Sequence, residues 1–149
     1  MAIDVFVAAK TLGDACDWSV SNLKMQKILY LAHLGYMGKH KEHLIKTPFE
    51  AWDYGPVQPA LYHKLKRFGA RNVSDIFYNE KTLTEGKECD VLQDMSKLCS
   101  VTPGELVAIT HREGGAWSKV YKPGALGMVI PDKLIFEEYD ELFSENKKS

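Results

Sequence analysis

The chain has 149 residues, of which 45% are hydrophobic, and 19 basic against 20 acidic side chains give a net charge of −1. This length predicts one domain with a single substantial core over residues 1–145, followed by a disordered tail over 146–149. The near-neutral net charge excludes the overall electrostatic attraction to phosphates that a dedicated nucleic-acid-binding protein has. Nucleic acid is therefore not an expected partner.

Helical periodicity predicts a mainly α fold, an irregular single-domain bundle of about six to seven helices. A first helix is predicted over 3–16. A second, capped by Ser19 or Ser21, is predicted to stop near Gly38. Its charged residues lie in its first half, and the uncharged run 28–32 that follows is typical of a central, mostly buried helix.

Residues 39–58 are predicted to form a structured connection. Within it, 49–52 alternates like an extended segment, which allows one small β-hairpin. Pro59 fits the first residue of a third helix that ends at Gly69. Further helices are predicted over 84–99, over 102–111 behind a capping box, at Trp117, and over 131–143.

The sequence gives little support for a membrane protein or for a metal-binding protein. No run reaches the roughly 18 apolar residues of a membrane span, and the N-terminus lacks the basic start of a secretory signal, so a cytoplasmic protein is expected. Cys16, Cys89 and Cys99 are far apart and form no CxxC pair, so no disulfide framework or zinc ribbon is predicted. His40 and His43 are expected in a solvated turn rather than a metal site, and no cofactor is expected.

Two polar residues interrupt the apolar stripe of the second helix. Gln26 and Lys27 need partners if they are buried, because an unpaired amide or ammonium in an apolar interior is unfavourable. One arrangement bonds Gln26 to the backbone of the corner at 55–56 and pairs Lys27 with an acidic side chain such as Asp53. The alternative is that both residues serve partner binding, and the sequence leaves the two interpretations open.

The segment from Trp52 to Val57 forms an aromatic corner. Pro56 fixes its own φ and Gly55 permits backbone geometry closed to other residues, so the corner holds two aromatic side chains at a set angle. Trp52 is predicted to lie mainly in the core, docked on the second helix. Tyr54 is predicted to be exposed, and tyrosine is common among the residues that dominate interfaces.

A few titratable side chains could together form the acid–base group of an enzyme. His111 and Glu113, with Asp53, are the side chains that a small hydrolase would use. No HExxH, GxSxG or P-loop motif is present, so no catalytic constellation is complete and an enzyme is not expected. The preferred interpretation is that His111 caps or bridges the loop to Trp117.

Two segments, in this order and spacing, resemble the Panacea domain of SocA-type antitoxins and GepA-type phage-associated proteins. The first is LKMQKILY over 23–30, and the second is FEAW over 49–52 followed by YGPV over 54–57. His111 followed by Trp117 is a weaker third element. The residues to which the resemblance assigns a structural role are Leu23, Gln26, Tyr30, Trp52, Gly55, Pro56, Val57, His111 and Trp117.

The resemblance implies a mostly helical, non-catalytic antitoxin that neutralises a cognate toxin encoded beside it, often in prophage or other mobile DNA. The residues expected to be exposed and to contact that toxin are Lys27, Tyr54, Lys39, Lys41 and Lys46. Two alternatives remain open: an adaptor that delivers its bound partner to a protease, and the small hydrolase described above.

Overall fold

The computed structural model of the protein describes residues 1–125 and 127–148. Within these residues the chain forms seven α-helices and one two-stranded antiparallel sheet, which confirms the predicted mainly α fold with a small hairpin. No helix in the described part is both long and apolar enough to cross a lipid bilayer. The last helix extends to Lys148 and so includes residues 146–148 of the predicted disordered tail, and Ser149 lies outside the described residues.

The bounds of the elements follow the predictions most closely where a local capping signal exists. The helices are α1 (Val5–Ala15), α2 (Asn22–His40), α3 (Pro59–Leu65), α4 (Lys87–Met95), α5 (Pro103–Thr110), α6 (Ala116–Val120) and α7 (Asp132–Lys148). The strands are β1 (Glu50–Trp52) and β2 (Gly55–Val57). Two 3₁₀ turns, Lys66–Phe68 and Ser96–Ser100, continue α3 and α4. The predicted helix over 84–99 is therefore shorter, and its last part is 3₁₀.

Helix α2 is the central helix and is buried along most of its length. Its N-cap is Ser21, whose hydroxyl accepts a hydrogen bond from the backbone N–H of Lys24. Its C-cap is Lys41, in the left-handed conformation with φ 59°. The helix continues through Gly38 and ends at His40, two residues beyond the predicted stop near Gly38. A Cβ at Gly38 would lie 2.1 Å from the ring of Tyr139, so this glycine allows α7 to pack closely on α2.

The hydrophobic core surrounds α2. Helices α4, α5 and α7 all contact it, and α1 packs against α4. The Tyr30 ring of α2 meets the Phe49 ring edge-on, with centroids 5.3 Å apart. Phe49 directly precedes β1, so this contact fixes the start of the hairpin on the middle of α2.

The hairpin is short and its backbone bonds continue beyond the two strands. Its register pairs Glu50 with Val57 and Trp52 with Gly55, which leaves a two-residue turn at 53–54. Residues 128–130 run along the outside of β1, where Ala51 and its neighbours exchange backbone hydrogen bonds with them. The turn is thus held by backbone bonds on both sides of β1.

Candidate functional site

The corner between β1 and β2 lies on the N-terminal half of α2. Lys27 Nζ donates a hydrogen bond to the Pro56 carbonyl oxygen at 3.1 Å. Gln26 Oε1 accepts one from the backbone N–H of Gln58 at 2.8 Å, so Gln26 bonds to backbone just beyond the predicted corner. Gly55 has φ +114°, and a Cβ there would lie 2.8 Å from Lys27 Cε. Only glycine permits this backbone conformation and this close approach.

Lys27 is fully buried, with 0% of its surface exposed, so the prediction of an exposed binding residue is wrong. Burial lowers the pKa of Lys27 to about 7. The predicted pairing with Asp53 is also wrong: Asp53 is exposed in the hairpin turn and its Oδ1 accepts a hydrogen bond from the Tyr121 hydroxyl. The physical reason is that the corner covers Lys27, whereas the turn that carries Asp53 faces solvent.

A stack of three rings braces the hairpin. His111 stacks on Trp117 with centroids 3.7 Å apart and planes 8° apart, and Trp117 stacks on Tyr121 at 4.5 Å and 14°. Trp117 Nε1 donates to the Trp52 carbonyl oxygen at 2.7 Å, while the Tyr121 hydroxyl holds Asp53. His111 therefore does bridge to Trp117, through ring stacking, and the stack fixes the position of β1 and its turn.

His111 approaches the same corner as Lys27. A Cβ on Gly55 would lie 2.9 Å from His111 Nε2 and 3.0 Å from Lys27 Nζ. His111 Nε2 is buried and forms no hydrogen bond within the described residues. Burial lowers the pKa of His111, the nearby Lys27 lowers it further, and the backbone of Tyr54 opposes the shift. Burial and Lys27 both favour the neutral form of the imidazole, whose ring packs against Trp117.

A cavity of about 470 Å³ opens beside the hairpin. Its lining includes apolar and aromatic side chains from α2, the hairpin and α3: Leu23, Trp52, Val57 and Tyr62. The charged side chains in the described lining are Lys27, Lys66 and Asp53. Tyr54 also lines the cavity and is 71% exposed, as predicted.

The three side chains of the hydrolase hypothesis form no hydrogen bond with one another within the described residues. Asp53 lines the cavity, but His111 and Glu113 do not. Within the described residues, Asp53 is hydrogen-bonded to Tyr121 and not to His111 or Glu113. An acid–base pair needs its members within hydrogen-bond reach, and this arrangement does not provide one.

The prediction that Trp52 lies mainly in the core is wrong. Trp52 is half-buried, and its ring meets those of Tyr62 and His63 on α3, with centroids 5.0 and 6.3 Å away. Ala51 is 1% exposed, and because side chains alternate along a strand, its neighbours point to the opposite face. The tryptophan that does enter the core is Trp117, which is 9% exposed.

The predicted binding residues fall into two separate regions. Lys39, Lys41 and Lys46 are exposed, as predicted, around the C-terminal end of α2. Lys27 lies twelve residues before Lys39 on the same helix, which corresponds to roughly 18 Å along the axis. The turn is not merely solvated, since the Lys41 ammonium lies 5.5 Å from the centre of the Phe136 ring.

Sequence reasoning missed a buried charged group on α7. Glu138 is 2% exposed, and its Oε1 accepts hydrogen bonds from the Tyr30 hydroxyl at 2.6 Å and from the Ala116 N–H at 3.3 Å. Its Oε2 lies 3.4 Å from Arg112 Nε, an ion pair without the alignment of a hydrogen bond. Burial, with Glu138 beside it, raises the pKa of Tyr30. The available signal was spacing: Glu138 follows the buried Ile135 by three residues, on the apolar side of α7.

Comparison with known proteins identifies the family. A model of the family described as antitoxin SocA-like, Panacea domain, matches residues 25–118. Antitoxin SocA of Caulobacter vibrioides (strain NA1000 / CB15N) is 31% identical over 160 aligned positions, which cover 93% of this chain and 83% of that protein. The chain belongs to the SocA-like Panacea domain family. No solved structure matches it.

The Panacea match and the site coincide in large part. Residues 25–118 include Lys27, the hairpin and the stacked pair of His111 and Trp117. Glu138 and the rest of α7 lie beyond the matched span. The resemblance noted from the two sequence segments is therefore confirmed, and within this Panacea domain those segments meet at the corner on α2.

Proposed function

We propose that this Panacea-domain protein is a non-catalytic antitoxin that neutralises a cognate toxin by binding it directly. The observation that carries the proposal is membership of an antitoxin family, with a curated relative named as an antitoxin over 93% of the chain. We further propose that the toxin is encoded nearby, in prophage or other mobile DNA. The absence of hydrogen bonds among Asp53, His111 and Glu113 within the described residues supports a binding role rather than catalysis.

The geometry supports the hairpin turn as part of the toxin-binding surface. Tyr54 projects from a two-residue turn and is 71% exposed. The turn is held by Tyr121 at Asp53 and by Trp117 at the Trp52 carbonyl oxygen. An aromatic side chain on a rigid backbone loses little conformational freedom on binding, which favours affinity. The exposed lysines at the other end of α2 form a second candidate contact region.

Co-expression tests this function. The neighbouring gene is expressed alone and together with this chain, and growth is scored. We expect toxicity alone and rescue on co-expression. A neighbour that is toxic in both conditions contradicts the proposal, and so does a set of neighbours that are all harmless.

A matched pair of tyrosines tests the site. Tyr54→Ala removes a side chain that is 71% exposed, and Tyr78→Ala removes one that is 83% exposed and does not line the cavity. Truncation of an interface hot spot costs about 2 kcal/mol or more, so we expect toxin affinity to fall by roughly 30-fold for Tyr54→Ala alone. Melting temperatures should be unchanged for both. Full neutralisation by a folded Tyr54→Ala variant removes Tyr54 from the site.

A further inference from the structure

Two of the three cysteines are far apart in sequence but lie together in the fold. Cys16 is the C-cap of α1, and Cys99 belongs to the 3₁₀ turn Ser96–Ser100 that continues α4. Helix α1 packs against this turn, and the side chains of Cys16 and Cys99 are hydrogen-bonded to each other. Cys99 is 7% exposed, whereas Cys16 is half-buried, so a small solute reaches the pair from the side of Cys16.

The backbone that follows Cys16 has an uncommon conformation. Asp17 and Trp18 have φ 53° and 58°, in the left-handed region that residues other than glycine rarely adopt. The Trp18 side chain holds this turn, because its Nε1 donates a hydrogen bond to Asp14 Oδ1 at 3.0 Å. The turn brings the backbone N–H groups of Trp18 and Ser19 close to the Cys16 sulfur. Strained backbone of this kind is found most often at functional sites.

The two thiols differ in how readily they ionise. The hydrogen bond from the Cys99 thiol is the main cause that lowers the pKa of Cys16, against the opposing effect of burial. Hydrogen bonds from Ser19 and Trp18 lower it further. The hydrogen bond to Cys16 and burial together raise the pKa of Cys99, which the nearby Lys24 ammonium opposes. Because the thiolate is the nucleophilic form of cysteine, Cys16 is the reactive member of the pair.

We propose that Cys16 and Cys99 form a redox-active pair, which a hydroperoxide oxidises to an intramolecular disulfide. The Cys16 thiolate attacks one oxygen of hydrogen peroxide, the O–O bond breaks, and a sulfenic acid forms as hydroxide leaves. The Cys99 sulfur then attacks the Cys16 sulfur and loses its proton, the S–S bond forms, and the sulfenic oxygen leaves as water. The two thiols lose two electrons and two protons in total, and the peroxide is reduced to two molecules of water.

Mapping of the oxidised thiols tests the proposal. The purified protein is treated with hydrogen peroxide, the excess peroxide is removed with catalase, and the remaining thiols are alkylated after denaturation. Mass spectrometry of the digest then identifies the bonded cysteines. We expect the loss of two thiols and a crosslinked peptide pair that joins Cys16 to Cys99 and disappears on treatment with dithiothreitol. Three free thiols, or a crosslink that joins another pair or two chains, overturns the proposal.

Cys89 provides the matched control for the variants. It is 4% exposed, and its Sγ donates a hydrogen bond to the Leu83 carbonyl oxygen at 3.4 Å. We expect Cys89→Ser to form the disulfide as the wild type does, and Cys16→Ser to consume peroxide at least about tenfold more slowly. Cys99→Ser keeps a hydroxyl donor beside Cys16 and should accumulate a sulfenic acid that dimedone traps. Equal peroxide consumption by Cys16→Ser and the wild type overturns the proposal. The crosslink in the wild type decides even if a variant does not fold.

Thermal unfolding shows what the bond does to the protein. Cys16 and Cys99 are 83 positions apart, so a disulfide between them removes many conformations from the unfolded chain. We expect the oxidised protein to melt about 5 °C or more above the reduced protein, and dithiothreitol to reverse the difference. An oxidised protein that melts at or below the temperature of the reduced one contradicts a pair arranged for this bond. These measurements use no toxin, so their outcome is independent of the proposed antitoxin function.

Discussion

The burial of Lys27 predicts that the stability of the protein rises as the pH is raised above 7. Burial lowers the pKa of this lysine from its ordinary 10.5 to about 7 in the folded state. The unfolded chain restores the ordinary pKa, so between pH 7 and 10.5 the unfolded state binds more protons than the native state. The free energy of unfolding therefore increases with pH across this window. The destabilisation that comes from burying Lys27 reaches its full size only below pH 7.

The size of the effect follows from the size of the pKa difference. One pKa unit corresponds to about 1.4 kcal/mol, so a shift from 10.5 to about 7 corresponds to about 5 kcal/mol in total. In the native state Lys27 is about half protonated at pH 7 and neutral by pH 9, whereas in the unfolded state it stays protonated. Lys27 alone therefore adds about 2 kcal/mol to the free energy of unfolding between pH 7 and 9.

Urea denaturation of Lys27→Met at pH 7, 8 and 9 measures this contribution. The substitution also removes the hydrogen bond to the Pro56 carbonyl oxygen, but that loss is similar at each pH and does not alter the slope. We expect the wild-type free energy of unfolding to rise by about 2 kcal/mol more than that of the variant. Lys39→Met, which changes an exposed lysine on the same helix, should follow the wild type. Parallel pH curves for wild type and Lys27→Met would show that the buried lysine keeps its ordinary pKa, and would refute the reasoning.

Two further predictions use matched substitutions and are measured by chemical denaturation. Glu138→Gln weakens a buried ion pair and a hydrogen bond to a charged acceptor, so we expect the free energy of unfolding to fall by about 1–3 kcal/mol. The control, Glu141→Gln, changes an exposed side chain and should lower it by at most about 1 kcal/mol. Equal losses for the two variants would contradict the buried network around Glu138. Gly38→Ala places a methyl group 2.1 Å from the Tyr139 ring and should destabilise the protein by about 1–3 kcal/mol. Gly35→Ala on the same helix meets nothing within 4 Å and should stabilise it by about 0.5–1 kcal/mol, so a gain at both glycines contradicts the close packing of α7.

The sequence predicted the features that depend on local chemistry. Ser21 and Thr102 each accept a hydrogen bond from a backbone N–H three residues later, as a helix N-cap does. The uncharged run 28–32 indicated that α2 is central, and the chain does form its hairpin at the glycine–proline corner. In each of these regions the deciding interactions join residues that are close in sequence.

The errors concern contacts between residues far apart in sequence. Whether Lys27 is exposed depends on where Pro56 lies, 29 residues later, and no periodicity within α2 reveals that the corner covers it. Glu138 is 108 residues from Tyr30, so no local pattern within α7 reveals that the two are hydrogen-bonded. Gly38 resembled a helix stop because glycine often ends helices, and only the position of Tyr139 gives it another role.

The covering of α2 by α7 bears on whether the antitoxin domain can be transferred as a module. The span that the family model matches, residues 25–118, leaves out both α1 and α7. A fragment cut at these limits loses Tyr139 from Gly38 and Glu138 from Tyr30, and it exposes apolar surface of α2 to water. We therefore expect the fragment to aggregate or to remain unfolded. The region that the family shares is thus shorter than the region that folds cooperatively. A graft of this domain onto another protein should therefore keep the flanking helices α1 and α7.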